Sequence, residues 1–307
     1  MSKSLDRLSL LETFIRIADT GSLSAAARDL GLSQPSVSRQ LAELESRFKS
    51  QLMRRTTHSL SLTESGAALL ADARQLLGNW ESLQEKHLDA DGPLRGRLKV
   101  VAPVALGQLH LIDIALKFQQ QHPLTSLSWQ LQDDDIRFAE VGCDCWIKIG
   151  PVPGHSLKVT PLGDVERLMV SAPSLLASHS YSSSRFNRPR ALEKLPCVAL
   201  EPFEGGHIPL TSQQGKTVTI APTVRMTTNN IFALRQAALA GTGIAVMPRW
   251  FITDELASQK LIDILPTWRA PKLTIHVASL PGRHQPLRLR HFLAQLTSAV
   301  PQVPGII

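Results

Sequence analysis

The sequence predicts an α/β protein that begins with a small helical unit and continues through one long helix into an alternating α/β part. Three observations lead to this prediction. Helix-like segments fill residues 8–48, an apolar repeat of 3.5 residues runs from Leu62 to His87, and strand-like and helix-like segments alternate from Arg97 onwards. This alternation favours parallel sheets, because a helix carries the chain back between two parallel strands.

The composition is that of a globular protein and excludes several other classes. The chain has 307 residues, 43% hydrophobic and 19% charged, which excludes disorder and collagen and predicts two or three domains. No apolar run approaches the roughly 20 residues of a bilayer span, and the first 12 residues do not resemble a secretory signal. Three cysteines, Cys143, Cys145 and Cys197, indicate a reducing cytoplasm without disulfides. The net charge of +7 suggests anionic partners but does not locate a nucleic-acid surface.

Three short helices are predicted in the N-terminal part. The first has apolar residues at helical spacing: Leu8, Leu11, Phe14, Ile15 and Ala18. It ends at Gly21, and Ser22 caps a second helix that ends at Gly31. Ser33 caps the third helix, which has Pro35 in its first turn, where a missing N–H group costs nothing.

The third helix combines an apolar stripe with polar side chains. The stripe follows steps of four, three and four residues: Val37, Leu41, Leu44 and Phe48. Polar residues are left for the other faces: Gln34, Ser36, Ser38, Arg39 and Gln40. Short polar side chains at a helix N-terminus suit close approach to DNA, because the N–H groups face phosphates and Gln can contact adenine through two hydrogen bonds. The pattern is typical of the recognition helix of a helix-turn-helix. A plain helical hairpin with a solvated polar face is the alternative.

Two short extended stretches are predicted between residues 51 and 62, and a long helix without proline follows. Its apolar seam alternates steps of four and three: Leu62, Gly66, Leu69, Ala73, Leu76, Trp80, Leu83 and His87. A constant period of 3.5 predicts a coiled coil that joins two copies of the chain. The central dimerisation residues would be Leu69, Ala73, Leu76, Trp80 and Leu83. The alternative is an amphipathic helix packed on its own domain. Residues 89–96 are predicted to form a hinge.

The remaining chain is predicted to alternate between strands and helices. The predicted strands cover residues 97–103, 125–131, 143–150, 167–173, 196–200, 217–224, 243–248 and 273–279. The predicted helices cover residues 106–121, 134–141, 229–240 and 285–299. These segments would form parallel sheets of the α/β class.

Three N-terminal motifs resemble those of LysR-type transcriptional regulators: GSLSAAARDLGLSQPSVSRQLAELE, QLMRR and SLSLTESG. The matching residues are Gly21, Ser22, Ala26, Ala27, Leu30, Ser33, Gln34, Pro35, Ser36, Val37, Ser38, Leu41, Leu44, Glu45, Leu52, Arg55, Leu62, Thr63 and Gly66. Two later segments, GHSLKVTPLG and AALAGTGIAVMP, resemble the regulatory part of the same family, so the resemblance covers nearly the whole chain. It is less specific after residue 90.

The resemblance implies a winged helix-turn-helix, a dimerising linker helix and a two-lobed regulatory domain like periplasmic solute-binding proteins. The expected divisions are residues 1–62, 63–90 and 91–307, with lobe I at about 91–164 and 269–300 and lobe II at about 165–268. The implied function is transcriptional regulation in the cytoplasm, without catalysis. The partners would be double-stranded promoter DNA, a second copy of the chain in a dimer or a dimer of dimers, and a small-molecule effector.

The resemblance also implies which residues contact DNA and effector. The major-groove residues would be Ser33, Gln34, Pro35, Ser36, Ser38 and Arg39. The wing residues would be Arg54, Arg55, Thr56 and Thr57, with His58 beside them. In such folds the effector lies where the carboxyl ends of strands meet helix N-termini. The corresponding effector residues are Ala102, Pro103, Ala105, Asp133, Lys148, Thr228 and Asn229.

The charges around the predicted effector cleft conflict. Lys148 and the N–H groups that begin the helix at residue 106 would suit a carboxylate. Lys148, however, stands where the family often has arginine, so the bidentate fork is lost. Asp133 would oppose an anion unless it pairs with Lys148 or accepts a hydrogen bond from the ligand. An anionic effector is therefore only weakly favoured.

Other chemical interpretations have weaker support in the sequence. Cys143 and Cys145 could form a redox switch, but two small buried side chains on one face of a strand is the favoured interpretation. Residues 133–135 are all aspartate and could bind a hard cation, although a solvated loop with a helix cap is more common. Metal spacing motifs, a dinucleotide fingerprint and a nucleophile elbow are absent from the sequence, so no cofactor is expected. The rival interpretation is a solute-binding or enzymatic α/β domain with an accessory helical module.

Overall fold

The computed structural model describes residues 6–55, 60–88, 93–154, 156–180, 187–202, 206–281 and 285–307. Its N-terminal part contains α1 (Arg7–Thr20), α2 (Leu23–Leu30), α3 (Gln34–Phe48), β1 (Met53–Arg55) and β2 (Leu60–Leu62). The predicted caps are confirmed, because the side chains of Ser22 and Ser33 accept the backbone N–H groups of Ala25 and Ser36. Local capping therefore separates the three helices where the sequence indicates.

The two short strands form a hairpin that is tied to α3. They pair antiparallel, with Met53 opposite Leu62. A carboxylate oxygen of Glu45 on α3 accepts the N–H of Leu52 at 2.8 Å and that of Met53 at 3.2 Å. These two hydrogen bonds fix the start of the hairpin relative to α3 and complete a winged helix-turn-helix.

The long helix is α4 (Glu64–Leu88), and its first half belongs to the N-terminal core. Leu70 and Ala73 are buried in the cluster that α1, α2 and α3 form. Gly66 is also buried, and a Cβ atom there would lie 2.0 Å from the carbonyl oxygen of Leu52. The start of α4 thus packs directly on the backbone that leads into β1.

The α/β part mostly alternates strands and helices as predicted, but three strands follow one another directly between residues 208 and 228. Its first lobe begins with β3 (Gly96–Ala102), α5 (Val104–Leu106), a π-helical turn (Gly107–Leu111), α6 (Ile112–Gln121), β4 (Thr125–Leu131), α7 (Phe138–Val141), β5 (Cys145–Ile149) and β6 (Lys158–Ser171). The second lobe contains α8 (Pro173–Ser178), a 3₁₀ helix (Pro189–Lys194), β7 (Pro196–Leu200), β8 (Ile208–Ser212), β9 (Thr217–Ile220), β10 (Thr223–Thr228), α9 (Ile231–Leu239), β11 (Ala245–Pro248), a 3₁₀ turn (Arg249–Phe251), α10 (Thr253–Ala257) and β12 (Ile262–Asp263). The chain returns through β13 (Trp268–Ser279) to α11 (Leu287–Ala299) and a 3₁₀ turn (Val300–Gln302).

Several predicted segments need correction. The strand predicted at 217–224 is divided into β9 and β10 at Pro222, because proline cannot donate to a strand ladder. The strand predicted at 167–173 is only the end of β6, and the helix predicted at 134–141 is only the short α7. The strands β8 and β12 were not among those predicted from the sequence.

One sheet connects the two lobes, in the order β11-β6-β13-β5-β3-β4. Parallel pairing is confirmed for β3 with β4 and β5, and β7 pairs in parallel with β10. The prediction of parallel pairing is wrong for the connecting strands. Strand β6 pairs antiparallel with β11 and β13, and β13 pairs antiparallel with β5. The reason is that β6 leads out of the first lobe and β13 leads back, so they run in opposite directions.

Residues 305–307 are bound to the point where β6 crosses between the lobes. Asp164 and Ile307 exchange two backbone hydrogen bonds, of 2.8 and 3.0 Å, and the N–H of Glu166 donates to the carbonyl of Gly305 at 3.2 Å. The packing on the sheet is continuous here, since one apolar cluster includes Leu98 and Phe292 of the first lobe and Leu234 of the second. Among the described residues, no helix has the length and apolar character that a bilayer crossing requires.

Candidate DNA-binding and effector sites

The predicted major-groove residues lie together at the N-terminal end of α3. Ser33, Gln34, Pro35 and Arg39 are exposed, while Ser36 and Ser38 are half-buried. The hydroxyl groups of Ser33 and Ser36 are 2.8 Å apart, and the guanidinium of Arg39 donates to the Ser36 hydroxyl at 3.4 Å. Pro35 has no N–H group and the N–H of Ser36 already donates to Ser33. This end of α3 therefore offers hydroxyl groups, the positive end of the helix dipole and the Arg39 cation on one surface, which suits an anionic backbone.

One polar residue of α3 faces inwards instead. Gln40 is buried and its side-chain oxygen accepts a hydrogen bond from the Thr13 hydroxyl on α1. The position lies three residues after Val37, on the helix face that packs on α1. Gln40 thus positions α3 on α1 and is not part of the polar outer surface.

The predicted wing residues are described only in part. Arg54 on β1 is exposed, and the backbone of Arg55 pairs with Leu60 on β2. Thr56, Thr57 and His58 lie outside the described residues, as does the side chain of Arg55.

The predicted dimerisation seam divides into two halves. Ala73 is buried in the N-terminal core and Leu69 is half-buried against it, so the first half packs on its own domain. This corrects the prediction for Ala73, because its side chain has no surface left for a partner. Leu76, Trp80 and Leu83 are 50%, 42% and 48% exposed in the single chain.

The predicted effector residues of the first lobe converge beside the end of β3. Ala102, Pro103 and Ala105 are buried. The carboxylate of Asp133 accepts the N–H of Val104 at 2.9 Å and so occupies the start of α5. A carboxylate of the chain itself thus takes the position at which an effector carboxylate was expected.

Lys148 also has a partner within the chain. Its ammonium forms an ion pair with Asp135 and lies 5.1 Å from the ring centre of Trp146. Burial lowers the pKa of Lys148. The charge of Lys148 is therefore balanced by Asp135, and not by Asp133 as the sequence suggested. This ion pair weakens the case for an anionic effector.

The remaining effector residues belong to the second lobe, at the start of α9. The Thr228 hydroxyl accepts the N–H of Asn230 at 3.1 Å, and Asn229 is exposed. Asn230 caps α9, because its side-chain oxygen accepts the N–H groups of Phe232 and Ala233. The predicted effector residues therefore form two groups, one on the first lobe and one at the start of α9 on the second lobe. A binding site between the lobes would require such a division.

Two family models match this chain. The model described as a bacterial regulatory helix-turn-helix protein of the lysR family matches residues 8–67, and the model described as the LysR substrate binding domain matches residues 91–301. The chain belongs to the LysR family of transcriptional regulators. It is a DNA-binding regulator with an effector-binding domain, and the rival interpretation as a solute-binding protein or enzyme is not supported.

Relatives of this LysR-type regulator match it along nearly their whole length. It is 28% identical to the HTH-type transcriptional regulator PtxR of Pseudomonas aeruginosa, over 99% of this chain and 98% of that protein. The structure of CrgA from Neisseria meningitidis is 25% identical, with a TM-score of 0.56, over 96% of this chain and 99% of that one. A full-length OxyR variant from Pseudomonas aeruginosa has a TM-score of 0.74 at 17% identity, covers 99% and 97% of the two chains, and supports the fold alone.

The cysteines of this LysR-type regulator do not resemble a reactive pair. Burial raises the pKa of Cys143 to about 12 and that of Cys197 to about 11, and it also raises the pKa of Cys145. These thiols therefore stay protonated at neutral pH, which makes them poor nucleophiles. Cys143 and Cys145 also lie in different apolar clusters, which corrects the prediction of a shared face. The reason is that β5 begins only at Cys145, so strand alternation does not extend to Cys143.

The aspartate run at residues 133–135, which could have bound a hard cation, has other partners in the structure. No group of three or more His, Cys, Asp or Glu side chains in the described parts of the chain could hold a metal ion. Asp133 and Asp135 instead serve as a helix cap and an ion-pair partner. Sequence reasoning missed the positioning roles of Glu45 and Gln40, because both depend on contacts between elements that have no local signal.

Proposed function

We propose that this LysR-family regulator binds promoter DNA as a symmetric dimer, with the N-terminal end of α3 in the major groove and the β1–β2 hairpin at the minor groove. The observation that carries the proposal is the exposed polar start of α3, from Ser33 to Arg39, on a fixed three-helix core. Two copies related by a two-fold axis would read a pseudo-palindromic site. The protein would act in the cytoplasm by binding and not by catalysis.

Different parts of α3 would have different roles on DNA. The first turn would direct the hydroxyl groups of Ser33 and Ser36 and the positive end of the helix dipole at phosphates. Gln34 and Arg39 are long enough to reach base edges and would supply specificity. Arg54 and Arg55 would add phosphate or minor-groove contacts from the wing.

Replacement of Arg39 by alanine is expected to weaken operator binding by about 1–3 kcal/mol if this side chain contacts a base. The operator is first identified by sequencing the genomic DNA that the parent protein retains. Binding to that fragment is then measured by fluorescence anisotropy at fixed salt concentration. Arg290→Ala is the matched control, because it removes an exposed arginine from α11. Equal affinities of the parent and Arg39→Ala would exclude this role of Arg39.

We also propose that a small effector binds between the lobes, near the seven predicted residues. The arrangement that supports this site is the placement of the end of β3, the acidic turn after β4 and Lys148 on the first lobe, while Thr228 and Asn229 precede α9 on the second lobe. The ligand would require hydrogen-bond donors as well as any carboxylate, because Asp135 pairs with Lys148 and the carboxylate of Asp133 lies at the start of α5. Occupancy would shift the balance between two arrangements of the regulator on DNA.

Lys148→Met is expected to weaken binding of this effector by about tenfold or more, because a charged hydrogen bond is lost. Calorimetry with a set of small carboxylates and amino compounds would identify a ligand for the parent. Its effect on thermal stability provides a second measurement. Lys216→Met, at an exposed lysine of the second lobe, is the matched control. A ligand with the same affinity for the parent and for Lys148→Met would place the site elsewhere.

A further inference from the structure

A cavity of about 440 Å³ lies where the DNA-binding part, the linker helix and the first lobe meet. Its walls come from α1, the middle of α4, strand β3, the turn after α7 and the segment that leads into α11. The seven predicted effector residues are not among the described residues that line it. This junction cavity is therefore separate from the proposed site between the lobes, and its volume is typical of sites for small molecules.

Positive charges outnumber negative charges around the junction cavity. The basic side chains are Arg16, Arg74, Arg97, Lys99 and Arg288. The acidic side chains are Glu12, Asp19 and Asp144. Two of the three acids are already engaged, because Asp19 pairs with Arg74 and the carboxylate of Asp144 accepts the backbone N–H of Lys99 at 2.7 Å. Arg16 likewise pairs with Asp29, which does not line the cavity. Five positive charges therefore face four negative ones, and the excess of one positive charge favours an anion.

Lys99 is the cation best placed to bind such an anion. Its ammonium donates to the carbonyl oxygen of Val141 at 2.6 Å, the one hydrogen bond that it makes among the described residues, although an ammonium has three donors. The side chain is half-buried, and this burial lowers the pKa of Lys99. An anionic ligand would stabilise the charged form that burial disfavours.

The uncharged part of the cavity wall is mostly apolar, and Gln75, Asn79 and Gln285 are its polar members. It includes Ile15 of α1, Leu77 of α4, Phe138 of α7 and Leu289 of α11. We propose that the junction cavity is a second ligand site of this regulator, and that its ligand is a small organic carboxylate with an apolar body. The carboxylate would bind Lys99, and the apolar body would contact the aliphatic and aromatic wall.

A ligand in the junction cavity would lie beside the contact that links the DNA-binding part to the first lobe. The guanidinium of Arg74 on α4 pairs with Asp19 near the end of α1. The same group rests directly on Gly142, since a Cβ atom there would lie only 1.7–2.1 Å from three guanidinium atoms. One side chain thus joins α1, α4 and the turn after α7. Occupancy of the cavity is therefore expected to change operator affinity.

The test is calorimetry on the full chain with benzoate, phenylacetate and hexanoate, and with benzamide as the uncharged analogue of benzoate. At least one carboxylate is expected to bind, and benzamide is expected to bind more weakly than benzoate. Lys99→Met is expected to weaken carboxylate binding by about 10- to 100-fold. Lys148→Met, which alters the proposed site between the lobes, is expected to leave this binding unchanged.

A second variant tests the cavity without a change of charge. Gly78 lines the cavity, and no atom lies within 4 Å of the position that a Cβ atom would take there, so Gly78→Leu is expected to fold and to fill part of the space. It is expected to reduce carboxylate binding as Lys99→Met does. The proposal is overturned if none of the three carboxylates binds, if Gly78→Leu and Lys99→Met both bind as the parent does, or if only Lys148→Met loses binding. The last result would instead support the site between the lobes, and operator binding by the parent tests the DNA-binding proposal separately.

Discussion

Replacement of Gly66 by alanine is expected to destabilise the DNA-binding part by about 3 kcal/mol, because the new methyl group has no room. Its Cβ atom would lie 2.0 Å from the carbonyl oxygen of Leu52 and 2.9 Å from the carbonyl carbon. That carbonyl cannot move aside easily, since it accepts the N–H of Thr63 at 3.0 Å while the N–H of Leu52 donates to Glu45. The start of α4 or of β1 must therefore shift.

The matched control lies on the same helix. Gly78→Ala meets no atom within 4 Å, so it is expected to stabilise the helix by about 0.5–1 kcal/mol through helix propensity alone. Urea unfolding followed by circular dichroism would measure both changes, and hydrogen exchange would assign them to residues 6–88. Equal stabilities of the two alanine variants would contradict the close contact between α4 and Leu52.

Replacement of Leu76 by aspartate is expected to weaken dimerisation by about 3 kcal/mol, roughly 100-fold in the dissociation constant of the dimer. Leu76, Trp80 and Leu83 are large apolar side chains that one chain leaves about half-exposed on α4. If two copies of α4 cover them, each aspartate enters an apolar seam without a partner charge. Analytical ultracentrifugation across a concentration series would measure the change, and operator affinity should fall with it.

The control for this variant is an equally exposed leucine outside α4. Leu124 follows α6 and is 49% exposed, so Leu124→Asp adds the same charge at a similar degree of exposure. It is expected to leave the dimer unchanged. A dimer that is equally stable in the parent and in Leu76→Asp would mean that this half of α4 is not the interface.

The N-terminal helices could be predicted from the sequence because their signals are local. Ser22 and Ser33 cap the helices that follow them, and each cap acts within three residues. Strand pairing is not local, and for this reason the antiparallel arrangement of β6 and β13 was not predictable from periodicity. The division of the chain at residues 62 and 90 stays a prediction, although the family models match residues 8–67 and 91–301.

The candidate sites also differ in how far the sequence alone could predict them. The α3 surface was predictable because its residues are consecutive on one helix. The seam of α4 was predictable only as an apolar stripe, since periodicity cannot distinguish burial by the chain's own core, as at Ala73, from burial by a partner, as proposed for Leu76. In the acidic run after β4, the sequence could not indicate that Asp133 would cap α5 and Asp135 would pair with Lys148.

The path of the chain through the connecting strands also determines the order in which the domains can fold during synthesis. All residues of the N-terminal core lie between Leu10 and Leu77, so this core can form as soon as α4 has left the ribosome. The first lobe cannot be completed then, because β13 and α11 contribute Ile275 and Phe292 to its core only after the whole second lobe has been made. The edges of β5 and β6 that pair with β13 therefore stay unpaired until β13 has been synthesised. The nascent regulator thus has a complete DNA-binding domain before its effector-binding domain is complete.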